Sequence, residues 1–154
     1  MAAEPRRVFV DTNVLASILW KPGSATHAVA LLAAGRAPTL VSETVLDELA
    51  RFVHREGARR PAIVGQHRVW LQKQAPWSDV LPDPDRNAIE RLLGRVPTED
   101  APVVAAALAG GATYLLSGDR GLLAALPSVG LRALAPSDVR RLHASGDWPW
   151  ETVP

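Results

Sequence analysis

The chain reads as an α/β protein, a three-layer α/β/α sandwich around a central, mostly parallel sheet. Three observations carry that reading. Short runs rich in β-prone residues recur at "RVFV", "APTLVS" and "ATYLLS". Segments with helical periodicity alternate with them, the pattern of βαβ units whose sheet is covered on both faces. Acids stand directly at the carboxyl ends of the runs, in "RVFVDTN" and "TYLLSGD", where open parallel sheets bind their ligands.

Each element has a local reason. Residues 7–10 form a short, β-branched and aromatic strand expected to be buried. Residues 13–20 look helical, with Asn13 as N-cap, and "KPGS" breaks the pattern. Ser24 caps a second helix to about Ala34, which Gly35 stops. The second strand lies in "APTLVS", and Ser42 caps a helix to about His54. Residues 59–74 form a further helix, basic at its start. The proline-rich "APWSDVLPDPDRN" is a loop with a short edge strand at 79–81. Residues 86–93 are helical and "GRVPTED" is a loop. An alanine-rich helix covers 101–109, with Pro102 tolerated in its first turn and Gly110 and Gly111 ending it. "ATYLLS" is the third strong strand and "GDRGLLAAL" starts a helix. "GLRAL" is a last strand and "PSDVRRLHA" a last helix.

The 154 residues suit one domain over 1–154, with its core at about 7–143 and an irregular tail at 144–154. A hydrophobic share of 47% and a charged share of 21% are those of an ordinary globular protein. The absence of cysteine excludes disulfides and thiolate metal sites. No apolar run is long enough to span a bilayer, and "MAAEPRRVFV" has no apolar signal core, so a cytoplasmic protein without membrane contact is expected. A net charge of +1 gives little bulk attraction for nucleic acid, so any such binding needs local patches.

Asp11 follows the first strand directly and Asp119 follows "TYLLS" after one glycine, which puts both on one rim of the sheet. Asp100 precedes the helix feeding "TYLLS", and in a right-handed crossover that helix start lies on the same rim. Singly, Asp100 and Asp119 also serve as helix caps. Together the acids repel: like charges about 4 Å apart cost about 4 kcal/mol at an effective dielectric near 20. Packed without lysine partners, they call for a hard cation such as Mg²⁺ or Mn²⁺. A fourth acid comes from "SETVLDELARFVH". Leu46, Leu49 and Val53 centre its apolar stripe, with Val45 and Phe52 to one side. Glu48 and Glu43 lie at opposite borders of that stripe, and the helical wheel does not choose between them. Asp47 points further out, in reach of Arg51 at i,i+4.

These segments resemble the PIN domain, in its VapC-like toxin type. The match lies in "VFVDTNVLASIL", "LVSETVLDELARFV" and "EDAPVVAAALAGGATYLLSGDRGLL", from about Arg7 to Ala135. The resemblance implies an acidic pocket at the carboxyl edge of the sheet. It matches Asp11, Glu48, Asp100 and Asp119 to the family's catalytic, metal-binding acids, and so selects Glu48. It matches Thr12 and Asn13 to the polar residues after the first acid. Ser117 falls where the family has threonine or serine, close enough to touch water, metal or phosphate. One departure stands out: the family often has a second acid two residues after the one matching Asp119, and here that residue is Gly121.

The activity implied is metal-dependent endonucleolytic hydrolysis of RNA. The biological role implied is the toxin of a toxin–antitoxin pair, with an antitoxin protein as partner. Candidate phosphate contacts are Arg120 and the basic run Arg51, His54, Arg55, Arg59 and Arg60, against the alternative of a solvated polar face. His27, His54, His67 and His143 lack ligand-like spacing, which argues against zinc. Trp70 reads as core. Asp83 and Asp85 read as turn residues, with Asp85 also in reach of the site. Trp148 and Trp150 either cover the chain's own core or meet an antitoxin or a second copy in a homodimer. Two rival readings are a phosphate-transfer domain and a non-catalytic RNA-binding or protein-interaction module. The first wants a lysine near a later strand, where neither Lys21 nor Lys73 lies; the retained acids argue against the second.

Overall fold

A computed structural model of the chain describes residues 7–21, 23 and 38–145. Among these, five strands form one sheet: β1 (Val8–Val10), β2 (Thr39–Ser42), β3 (Asp79–Leu81), β4 (Tyr114–Leu116) and β5 (Arg132–Leu134). Their order is β3-β2-β1-β4-β5 and every pairing is parallel. Seven helices among the described residues flank the sheet in an α/β sandwich. They are α1 (Thr12–Trp20), α2 (Glu43–Glu56), α3 (Pro61–Gln72), α4 (Arg86–Glu90), α5 (Ala101–Ala109), α6 (Arg120–Ala125) and α7 (Pro136–Ser145).

The apolar pattern dictates the layers. Every residue of the three central strands is buried, as a parallel sheet covered on both faces requires. The edges are wetter, with Asp79 and Val80 exposed on β3 and Arg132 and Ala133 exposed on β5. Phe9, Leu15, Leu40, Leu49, Leu115 and Leu122 are fully enclosed. Val45, Leu49 and Val53 are the buried residues of α2. Leu46 and Phe52 pack against that core while partly exposed.

The strand order places the site. From β1 the chain steps outward to β2 and β3, then returns to lay β4 against the other side of β1. The order therefore reverses between β1 and β4, and the crevice beyond the carboxyl ends of those two strands is where such sheets bind ligands. Asp11 and Ser117 leave these two strands side by side, with the Asp11 amide donating to the Leu116 carbonyl at 2.9 Å.

Several expected boundaries move. Helix α1 starts at Thr12 with Asp11, not Asn13, as N-cap, because Asp11 is extended (φ −74°, ψ 154°) and its carboxylate accepts from the Thr12 amide. Helix α3 starts at Pro61, which presets φ for a first turn, and ends at Gln72. Helix α4 stops at Glu90, ahead of Gly94 with its φ of 82°. A short 3₁₀ turn over Thr98–Asp100 precedes α5. Helix α7 continues to Ser145, covering the first two residues of the expected tail. The expected helix at 24–34, His27, and Trp148 and Trp150 lie outside the described residues.

Candidate active site

Two strand ends and the starts of several helices converge at the switch point. A cavity of about 400 Å³ there is lined by Asp11, Glu48, Asp100 and Asp119, with Thr12, Asn13, Ala16, Arg51, Phe52 and Arg55. The four predicted acids thus share one wall, although they come from four separate segments of the chain. A smaller cavity of about 260 Å³ adjoins it through the shared residues Asn13 and Asp119.

Each acid is held differently. Asp11 is only 7% exposed. Its Oδ1 accepts from the Thr12 amide at 2.8 Å and its Oδ2 from the Ser117 hydroxyl at 2.8 Å. Glu48 rises from α2, and its Oε2 accepts from Thr12 Oγ1 at 2.7 Å. Asp119 caps α6, its Oδ1 accepting from the Gly121 and Leu122 amides at 2.9 and 3.2 Å. Asp100 stands where a cap of α5 would, yet its side chain makes no capping bond. The capping alternative therefore applies to Asp119 and fails for Asp100, whose carboxylate is left to the cavity.

Ser117 changes role. It is fully buried, where the resemblance put it within touch of water, metal or phosphate. Its hydroxyl donates to Asp11 and accepts from Asn13 Nδ2 and from the Asp119 amide, both at 3.1 Å. That uses its one proton and both lone pairs. Asn13 closes the network by accepting from the Gly118 amide through Oδ1 at 3.1 Å. Thr12, Asn13 and Ser117 thus position acids.

The electrostatics follow from the crowding. Burial is the largest influence raising the Asp11 carboxyl above its ordinary value. The Ser117 and Thr12 hydrogen bonds pull it back, and the charges of Glu48 and Asp119 push it further up. Asp100 is pushed up to about 6, first by burial and then by Asp11, Asp119, Glu99 and Glu48. Among the described residues none of the four acids is in an ion pair. Hard, unpaired carboxylate oxygens facing one cavity fit a divalent cation such as Mg²⁺ or Mn²⁺. The fit is one of donor chemistry and direction, because among the described residues no three acids or histidines are gathered tightly enough to hold an ion. Thr12, Ser117 and the α6 amides fix the orientation of three of these carboxylates, and Arg51 and Arg55 in the lining offset only part of their mutual repulsion.

Other candidates sort cleanly. Arg51 and Arg55 line the cavity. Arg51 makes no ion pair with Asp47 among the described residues, although the i,i+4 spacing allows one. Arg60 and Arg59 lie over the Trp20 ring at 4.1 and 6.0 Å, and Arg60 donates to the Trp20 carbonyl at 2.6 Å. His54 and Arg120 are exposed and outside the cavity lining. Asp83 accepts from the Thr44 amide and hydroxyl. Asp85 caps α4 through the Ala88 amide and does not line the cavity. Trp70 is buried and meets Trp77 edge-on at 5.9 Å. Ala16 and Phe52 were not anticipated as lining residues; each lies four positions beyond a site residue, Thr12 and Glu48, and so on the same helical face.

A profile of the PIN domain matches residues 7–121, and the chain belongs to that family, a nuclease fold. No curated protein matches the sequence. Among solved structures the chain resembles PAE2754 from Pyrobaculum aerophilum, with a TM-score of 0.63 and 22% identity over 93% of this chain and 99% of that one. It also resembles FitAcB from Neisseria gonorrhoeae, with a TM-score of 0.59 and 16% identity over 84% of this chain and 98% of that one. At these identities the likeness is one of fold. Among the described residues no helix is long and apolar enough to cross a membrane.

Proposed function

We propose that the chain is a divalent-metal-dependent endoribonuclease, acting as the toxin of a toxin–antitoxin pair in the cytoplasm. One observation carries the catalytic reading: four carboxylates from four segments line one cavity, none of them neutralised by an ion pair among the described residues. Family membership supports nuclease chemistry. The VapC-type match of the quoted segments supports RNA over DNA, an inhibitory antitoxin that covers the pocket, and the option of a homodimer.

Asp11, Glu48, Asp100 and Asp119 are the residues that would hold Mg²⁺ or Mn²⁺. Such an ion activates water and shields the charge of the scissile phosphate. The nearby hydroxyls do not serve as nucleophiles: Ser117 is fully buried with its proton on Asp11, and Thr12 commits its own to Glu48. With those hydroxyls committed the proposed nucleophile is water, and the chain's part is to orient the carboxylates around it. Residue 121 adds no acid, its amide binding Asp119 Oδ1, and among the described residues the quartet is the acidic complement of the cavity lining.

The test is incubation of purified protein with structured and single-stranded RNAs, with Mn²⁺ or with chelator. Cleavage should need the metal, and Asp11→Asn should reduce it to the chelator control while leaving the fold intact. Cleavage surviving in chelator, or undiminished in Asp11→Asn, would overturn the reading. Metal binding without cleavage of any RNA would favour the non-catalytic module.

A further inference from the structure

We infer that Arg51 and Arg55 grip the phosphates flanking the scissile one on a single-stranded RNA; this rests on the nuclease reading and supplies the anion-binding half of the same site. The starting point is charge. Among the described residues the cavity lining holds four carboxylates and two guanidiniums. The excess of two negative charges is what one divalent cation cancels. A bound metal thus makes the lining neutral, and the phosphates beyond the scissile one still need a cationic partner. Among the described lining residues only Arg51 and Arg55 offer one.

Position and availability agree. Glu48, Arg51 and Arg55 follow at i, i+3 and i+7 along α2, one face of the helix. Thr12 anchors Glu48 at the cavity wall, so the two arginines stand one and two turns further along the same face. Arg51 is exposed and in no ion pair among the described residues. Arg55 meets Glu56 at 3.4 Å with its own side chain 66% exposed. An exposed pair of that kind contributes little and yields readily to a phosphate. A guanidinium fork matches phosphate bidentately, which strengthens the exchange. Arg59 and Arg60, the continuation of the basic run, lie by Trp20 and are not among the lining residues.

The apolar lining narrows the substrate. Ala16 and Phe52 share the cavity with the two arginines. Trp20 meets the Phe52 ring edge-on at 6.4 Å, and the Arg55 guanidinium lies 5.8 Å from its centre. An aromatic ring beside arginines is the surface on which an unpaired base or sugar packs. A base paired within an A-form duplex does not reach such a wall.

The experiment measures fluorescence anisotropy of a labelled single-stranded RNA across a KCl series, with all proteins in the Asp11→Asn background to prevent cleavage. Neutralising a phosphate on a single strand contributes about 0.7 to the slope of log affinity against log salt, so R51A/R55A should flatten it by about 1.4. Its affinity should fall about tenfold or more. R59A/R60A should leave the slope unchanged, and R51K/R55K should keep the slope while weakening binding. Melting temperatures equal to the parent's establish that the variants fold. An unchanged slope in R51A/R55A, an equal loss in R59A/R60A, or no binding by the parent would overturn the inference. In the otherwise native protein, R51A/R55A cleaving with unchanged kcat/KM would also overturn it and leave the nuclease reading standing. If the native protein cleaves nothing while the slope still depends on Arg51 and Arg55, the nuclease reading fails and this surface remains an RNA-binding face.

Discussion

Ser117 donates its only proton to Asp11 Oδ2 and accepts from Asn13 and from the Asp119 amide, tying three site residues to one atom. Groups that orient metal-binding side chains typically cost about 10–100-fold in metal affinity or activity when removed. Ser117→Ala should therefore lower cleavage by about that factor, with the loss partly recovered at high Mn²⁺; a rate equal to wild type at every metal concentration would show that the hydroxyl positions nothing. Asp11→Asn keeps a capping oxygen for the Thr12 amide and removes a charge that burial disfavours. In metal-free buffer near neutral pH the relief of that charge opposes the loss of the Ser117 hydrogen bond to Oδ2, so its melting temperature should stay close to wild type. The four acids and their polar neighbours were legible in the sequence, through strand-end positions and the family match. The task of Ser117 was not, because a hydroxyl's burial and its number of partners are tertiary facts. The same holds for Arg51, whose apparent i,i+4 partner Asp47 competes with a cavity that no helical wheel displays.

Helix α2 carries Glu48, Arg51, Phe52 and Arg55, so its placement decides the geometry of one whole wall. Its start was readable from Ser42, whose hydroxyl accepts from the Val45 amide. Its end depends on Gly57, where an added Cβ would stand 2.6 Å from the Val53 carbonyl oxygen and 2.6 Å from Val64 Cγ2. Relieving that overlap means moving backbone at the α2–α3 junction. Gly57→Ala should destabilise the protein by about 1–3 kcal/mol, the usual cost of overpacking a close-packed site. Chemical denaturation reads this as a lower midpoint, and an unchanged midpoint would contradict the packing described. This was not legible beforehand, since Gly57 sits in a polar stretch and its backbone angles are ordinary for any residue (φ −64°, ψ −28°). The start of α1 was misread by one residue for a related reason: Asp11 was taken only as a strand-end acid, and it also caps the helix.

At the scale of the molecule, the β3-β2-β1-β4-β5 order converts distant acids into one site. Alternation of strands and helices made the fold class readable, while the reversal between β1 and β4 follows from pairing that no local pattern encodes. Gathering the acids has a measurable consequence. Asp100 titrates at about 6 in the folded protein against an ordinary 3.8. The folded state therefore binds more protons between those values, and its stability falls as pH rises through that window. Asp11 shifts in the same direction. In chelator, the contribution of these groups should lower the melting temperature from pH 4 towards 7. A divalent cation that binds only the folded state should restore it by mass action, and more at pH 7 than at pH 5, where protons compete for the carboxylates. The central claim is that these four carboxylates form one cation site, and titration of the protein with Mn²⁺ near neutral pH, followed calorimetrically, tests it most directly. Wild type should bind saturably, and Asp11→Asn, Glu48→Gln, Asp100→Asn and Asp119→Asn should each weaken that binding. Mn²⁺ affinity unchanged across all four variants, or no binding by wild type, would contradict the account.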